Sequence, residues 1–393
     1  MQIQVCSSLA ELSAAEWNRL AWDGYPFTRY EFLAALESHG CVGPGTGWAP
    51  RHLLVRDRER RLIGALPLYL KDHSMGEFVF DWAWADAYER HGLAYYPRLV
   101  AAIPFTPVTG PRLLTPGADV LSHSGTTAAA VRETLADGAI SYARELGVSS
   151  LHCLFPDQQD RDRLARHGLL LRKACQFHWQ NRGYSDFEDL LAAFTSSKRK
   201  KIRRERRRVS EAGIRLQCVR GDRLDPSLWP AIYRLYASTY HMRGRPPYLN
   251  RAFFEEIART MGEQLVLFLA WNGGRLPVAV AITLRDEAAL YGRHWGADAD
   301  YHSLHFEACY YQGLEYCIRE GLARFDPGTQ GEHKVSRGFL PATAWSAHWI
   351  SDPRFRDAIA DFVEREARYV DGYIEEMDTH SPYRAGDPAG AGR

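Results

Sequence analysis

The chain of 393 residues has no stretch approaching the roughly 18 uninterrupted apolar residues of a membrane-crossing helix. Its opening, Met1 to Cys6, also lacks the basic region followed by an apolar region that marks a secretory leader. Cysteine is sparse and unpatterned: seven residues (Cys6, Cys41, Cys153, Cys175, Cys218, Cys309, Cys317), with no C-x-x-C pair among them. A disulfide scaffold is thereby excluded, no metal site is expected, and the thiols in apolar runs such as Leu151 to Phe155 read as reduced core residues. There is no excess of either charge, since 49 Lys and Arg face 48 Asp and Glu. Whole-chain charge therefore selects neither nucleic acid nor membrane, and only local clusters carry information. A cytoplasmic protein without a membrane span is the expectation.

What is present is enough apolar material for real cores, 46% hydrophobic and 12% aromatic residues, on a chain too long for one ordinary core. Leu53 to Leu70 alternates apolar residues around a charged turn, as a β-hairpin does. The pattern returns 214 positions later in Leu267 to Leu284, with Leu53 falling on Leu267, Arg61 on Arg275 and Ala65 on Ala279. Each half then shows a helix closed by glycine (Gly147, Gly321) and followed at once by an apolar strand. An internal duplication of an α/β (α+β) unit follows, each copy a mixed central sheet flanked by helices. The expected division is an N-terminal domain over 1–175, a C-terminal domain over 176–350, an amphipathic helix over 351–380 and a disordered tail over 381–393.

One basic cluster stands out. Lys198 to Arg208 holds nine Lys or Arg in eleven positions, with Thr195 to Ser197 as N-cap residues and Gly213 as a C-cap, so a helix over 196–212 is predicted. Like charges at i,i+4 oppose helix formation, so an anionic partner is one reading, with Lys198, Arg199, Lys201, Arg203, Arg204 and Arg207 as its contacts. The other is a solvated face whose Ile202 and Val209 pack inward. No aromatic residue interrupts the run, so base stacking has no support there.

Three segments of the second half concentrate polar and aromatic residues. Tyr291 to Asp298 places His294 and Trp295 at the end of a strand, lining a cleft or closing a packed sheet. In His305 to Gln312, helical spacing stacks His305 on Cys309 and Glu307 on Tyr311. A thiolate nucleophile at Cys309 is weighed there against a small core thiol, with no third group to orient it. The third segment, Asp326 to Phe339, leaves an apolar strand through a Gly-rich turn carrying Gln330, Glu332, His333, Lys334 and Arg337. Loops at the carboxyl ends of strands are where α/β sheets bind ligands. In acyl transfer to an amine, a carboxylate or His takes the proton and a cation stabilises the oxyanion; a salt-bridged loop is the alternative.

At these residues the sequence resembles the Fem-type branch of the GNAT acyltransferase superfamily, and more closely the FemAB-like proteins of peptidoglycan biosynthesis or recognition. The likeness runs through Gly76 to Trp82, Ile103 to Gly110, Ser197 to Arg208, Leu304 to Tyr311 and Gly328 to Lys334. It implies tandem GNAT-like domains and amide-bond formation. It also implies that Ser196, Lys198, Ile202 and Arg203 open the second domain, and that Lys334, with Gly338 and Phe339, is the lysine that stabilises the acyl-transfer transition state. Glu332 and His333 are then the base candidates, and His294, Trp295, His305, Glu307, Tyr311, Gln330 and Arg337 the substrate contacts. No resident cofactor is implied; the donor is a co-substrate, aminoacyl-tRNA or acyl-CoA, and the acceptor a small-molecule or peptide amine. Gly296 to His302 departs from the GNAT pyrophosphate loop, having Asp298 and Asp300 and no second glycine. That argues against a standard acetyl-CoA site and leaves tRNA as an implied partner, although no long coiled-coil arm is present. An acetyl-CoA-dependent N-acetyltransferase and a non-catalytic binder of cell-wall precursors or nucleotide sugars stand as alternatives.

Overall fold

The computed structural model describes residues 1–20, 24–329 and 331–384. The protein is mixed α/β and divides into two compact units, Met1–Ala174 with Thr343–Asp371, and Cys175–Ala342 with Gly372–Arg393. The segment 343–350, expected in the second domain, belongs to the first. Ser346 to Ile350 pair antiparallel with Leu154 to Ser150, and Ala347 joins the first unit's core.

In the first unit the predicted hairpin forms as His52–Arg56 against Leu62–Leu66, with Gln2–Cys6 alongside. A second sheet runs Trp48–Pro50, Leu68–Lys71, Arg98–Ala101, Ser150–Leu154, and its last two strands are parallel. The helix Ala128–Glu145, capped by Thr127, packs Val131, Leu135 and Ala139 against the hairpin. Gly64 is required there, because a Cβ would lie 2.4 Å from Val131 Cγ1.

The second unit repeats the scheme. Arg215–Arg220, Leu265–Trp271, Ala279–Arg285 and Ala289–Ala297 form an antiparallel run, Arg324–Asp326 adds parallel to Ala289–Ala297, and Gln180 and Trp179 of the strand Leu170–Gln180 pair with Arg324 and Phe325. The basic run is a helix, Ser196–Glu211, burying Ile202, Glu205 and Val209. The C-terminal helix spans Pro353–Thr379, the division of the units falling within it. Ser381 to Arg384, expected in the tail, are packed instead: Tyr383 stacks edge-on against Phe194 and donates to the Gly338 carbonyl at 3.0 Å. The rest of the expected tail, 385–393, lies outside the described residues. No helix among the described residues is long and apolar enough to cross a membrane, and no cluster of His, Cys, Asp or Glu among them could hold a metal ion.

Candidate active site

The site is built where two parallel strands of the second unit part. Ala289 to Tyr291 pair with Arg324 to Asp326, after which one chain turns at Pro327 and the other runs on to Ala297. At the parting, Gly292 meets Pro327 so closely that a Cβ would lie 3.1 Å from the Pro327 Cα. A β-bulge falls at the same place: Ile282 opposes His294 and Thr283 opposes Gly292, leaving Arg293 unopposed. Bulges re-aim side chains, and this one helps set His294 and Trp295 at the rim of a cavity of about 90 Å³. His305, Cys309, Tyr310 and Pro327 complete its wall.

Beyond the strand end, Glu332–Arg337 form a 3₁₀ turn between two glycines of positive φ, Gly331 (110°) and Gly338 (96°). Lys334 lies inside this turn, 2% exposed, donating to the Gly328 carbonyl. Burial pulls its pKa down from 10.5 to about 8, with the charge of Asp326 and the thiol of Cys309 opposing the drop. Asp326 is itself buried, accepts from the Gly328 N–H at 2.9 Å and lies 3.6 Å from His178 Nε2. A buried ammonium with one carbonyl partner is an arrangement a fold does not need for its own stability, and it is well suited to an incoming oxyanion.

His333 is exposed and its Nε2 is 2.8 Å from the Tyr310 hydroxyl. Its pKa is lowered by burial of the ring, then by the charges of Arg337, Lys334 and Lys201, which keeps it neutral and able to accept a proton. Glu332 points elsewhere, accepting from Tyr373 of the C-terminal helix at 3.0 Å. His305 is half-buried, with burial and the nearby His333, Arg337 and Lys334 lowering its pKa to about 4. Its ring stands edge-on to Trp295 at 5.4 Å and to Tyr310 at 5.4 Å. Burial holds the Cys309 thiol well above its usual pKa despite Lys334, so no thiolate nucleophile is available there.

The expected ridges of His305 on Cys309 and Glu307 on Tyr311 do not form. Glu307–Tyr311 is a π turn, in which the Gln312 N–H bonds the Glu307 carbonyl, so neighbours fall five residues apart. His305 accordingly meets Tyr310, and Glu307 accepts from the Gln312 side chain at 2.8 Å. Glu307 also pairs with Arg206 at 3.1 Å, and Tyr311 is fully buried, donating to Glu205. Arg337 gives every side-chain N–H group to the fold. It meets Glu205 at 2.9 and 3.0 Å, the Tyr311 hydroxyl at 3.0 Å and the His333 carbonyl at 2.7 Å, over the Phe306 ring at 3.5 Å. Tyr311 and Arg337, expected as substrate contacts, thus hold the turn that carries Lys334, while Glu307 is held by Arg206 and Gln312. Gln330 lies outside the described residues. Tyr310, Glu205, Asp326 and His178 were not singled out in the sequence, because their partners are distant along the chain.

The basic helix is partly consumed in the same way. Arg206 bridges Glu307 and Glu315, Arg203 pairs with Glu188, and Arg207 with Glu211 at 3.4 Å. Among the described residues Lys198, Arg199, Lys200, Lys201 and Arg204 have no acidic partner, and Lys201, three residues from both Lys198 and Arg204, reaches His333 with its field.

Among solved structures, FemX covers 92% of this chain and 100% of its own at 11% identity, with a TM-score of 0.53, a likeness of fold. A tandem GNAT protein from the clavulanic acid biosynthesis pathway matches over 90% and 99% at 13% identity (TM-score 0.44). The C-terminal domain of a putative lysylphosphatidylglycerol synthetase from Agrobacterium fabrum matches over 90% and 96% at 11% (TM-score 0.49). No curated protein matches the sequence. The FemAB-like family model, described as peptidoglycan biosynthesis/recognition, matches residues 8–385, and the chain belongs to that family.

Proposed function

We propose that the second unit transfers an activated acyl or aminoacyl group to an amine, forming an amide, with the Lys334 ammonium stabilising the oxyanion of the tetrahedral intermediate. The buried Lys334 at the strand parting carries this reading. The amine attacks the acyl carbonyl, the C–N bond forms, and the oxygen gains the charge that Lys334 neutralises. His333, held by Tyr310 and neutral, accepts the proton of the attacking amine, and the leaving group departs as the carbonyl re-forms. The unpaired cations Lys198, Arg199, Lys201 and Arg204 suit a donor with phosphates, aminoacyl-tRNA or acyl-CoA. The family description supports a peptidoglycan-type amine acceptor.

The test is transfer by the full chain from aminoacyl-tRNA and from acetyl-CoA to peptidoglycan-precursor amines, read as a mass increment on the acceptor. Lys334→Ala should reduce the rate by on the order of 10²- to 10³-fold with the fold intact, the loss seen when one oxyanion donor is removed. Full activity in that variant refutes the assignment. Precursor binding without turnover from any donor would favour the non-catalytic binding protein.

A further inference from the structure

We infer that the cavity between Gly292 to Trp295 and Pro327 receives the acyl chain of the transferred group, and that it admits a short uncharged chain of up to about four non-hydrogen atoms while rejecting an α-ammonium. The inference rests on the transfer reading above and narrows it.

Position comes first. Cys309 and Tyr310 form one wall, Cys309 lies close enough to Lys334 for each to shift the other's proton affinity, and Tyr310 is hydrogen-bonded to His333. Pro327, also in the lining, leads into Gly328, whose carbonyl accepts from Lys334. A carbonyl carbon placed between Lys334 and His333 therefore directs its substituent into the cavity.

Size comes next. A cavity of about 150 Å³ holds benzene, with six heavy atoms, so about 90 Å³ holds roughly three or four. The walls cannot easily yield, because Gly292 touches the Pro327 backbone and Thr283 is tied to the Val266 carbonyl at 2.8 Å.

Charge decides the chain's chemistry. Ala281, Ile282, Thr283, Trp295 and Tyr310 supply an apolar and aromatic lining. Two imidazoles join it, His294 and His305, both uncharged at neutral pH because burial and neighbouring cations lower their pKa. Arg293 also lines the space, the Lys334 ammonium is near enough to Cys309 to act on its thiol, and no carboxylate is among the described lining residues. An ammonium entering would lose water and gain no anion, a loss that an uncharged chain of equal size does not suffer.

Propionamide and glycinamide make the test, since they have the same number of heavy atoms and differ by a methyl against an ammonium at about pH 6.5. Full-length protein carrying ¹⁵N-labelled tryptophan is titrated with acetamide, propionamide, glycinamide and hexanamide. The Trp295 indole N–H, assigned by its loss in Trp295→Phe, reports occupancy. Acetamide and propionamide should shift it, with hexanamide and glycinamide each at least tenfold weaker than propionamide. In Cys309→Leu, which fills the space, propionamide should no longer act, the melting temperature confirming the fold. Glycinamide or hexanamide binding as well as propionamide overturns the inference, and so does the absence of any shift. The transfer reading fails by a different result, full activity in Lys334→Ala, which is read from the rate of transfer and not from the Trp295 signal.

Discussion

Replacing Lys334 by methionine should change the pH dependence of stability in a way no surface lysine would. The ammonium is 2% exposed and its pKa stands at about 8 in the folded chain against an ordinary 10.5. Between these values the unfolded chain holds a proton that the folded chain has released, so stability from this group rises as pH climbs from about 8 to 10.5. Below about 8 both states are protonated, and the buried charge is a constant penalty. At about 1.4 kcal/mol per pH unit the full difference is on the order of 3 kcal/mol. Raised tyrosines such as Tyr310 act in the opposite direction above about pH 10, but they are common to both proteins and cancel in the difference. Urea denaturation of both proteins at intervals from about pH 7 to 10 should show the wild type gaining on Lys334→Met by about 2 to 3 kcal/mol. Parallel curves would show that Lys334 is solvated, removing the physical basis for its role as an oxyanion partner.

Three further outcomes follow from named contacts. Glu205→Gln leaves the Arg337 guanidinium buried beside a neutral amide and should cost about 3 to 5 kcal/mol in urea denaturation; Glu205→Leu with Arg337→Met, which removes both charges, should cost far less. Lys201→Glu with Arg204→Glu should leave stability within about 1 kcal/mol, since neither side chain has an acidic partner among the described residues, yet weaken filter-retained binding of bulk tRNA and reduce its salt slope by about 1 per residue. An unchanged slope would show that this face meets no polyanion. Gly296→Ala sets a Cβ 1.8 Å from the Leu235 carbonyl oxygen, backbone against backbone, and should lower the melting temperature by a shift worth several kcal/mol.

The hairpins and the basic helix were legible in the sequence because their signals are local. Two short apolar runs, Leu265 to Trp271 and Ala279 to Arg285, separated by Gly273 and Gly274, are sufficient to place both strands and the turn. The place of Lys334, in a turn just past a strand end, was legible from the apolar residues before Asp326 and the glycines after it. The π turn was not: nothing in Glu307 to Tyr311 disturbs the 3.6-residue pattern, and the inserted residue follows from packing. That one residue moved His305 from Cys309 to Tyr310 and Glu307 from Tyr311 to Gln312. The clamp of Glu205 on Arg337 was hidden for another reason, since its members lie 132 residues apart and Glu205 reads as one acid in a basic run. The segment 343–350 reads as the end of its own domain because a strand's partner is set by hydrogen bonding across the sheet, which sequence order does not record.

The duplication lets the two units be compared at one place, the loop after the second parallel strand. In the first unit Ser150–Leu154 leads into Phe155, at φ 52°, and a helix beginning at Gln158. The cation there is Arg112, fully buried, and four of its five N–H donors meet backbone carbonyls. Nε bonds the Leu154 carbonyl at 3.0 Å, Nη1 the Gly110 and Pro111 carbonyls at 3.0 Å, and Nη2 the Val108 carbonyl at 2.7 Å. Asp160 accepts the Arg112 and Leu113 N–H groups at 2.7 and 2.9 Å. A guanidinium given to four carbonyls keeps one N–H, whereas a lysine with one carbonyl partner keeps two of its three donors. The same topology therefore yields a cation mostly spent on the fold in one copy and a mostly unspent one in the other. Freeing Arg112 would leave four carbonyls short of a donor, at about 1 to 3 kcal/mol for each one buried, where freeing Lys334 leaves one.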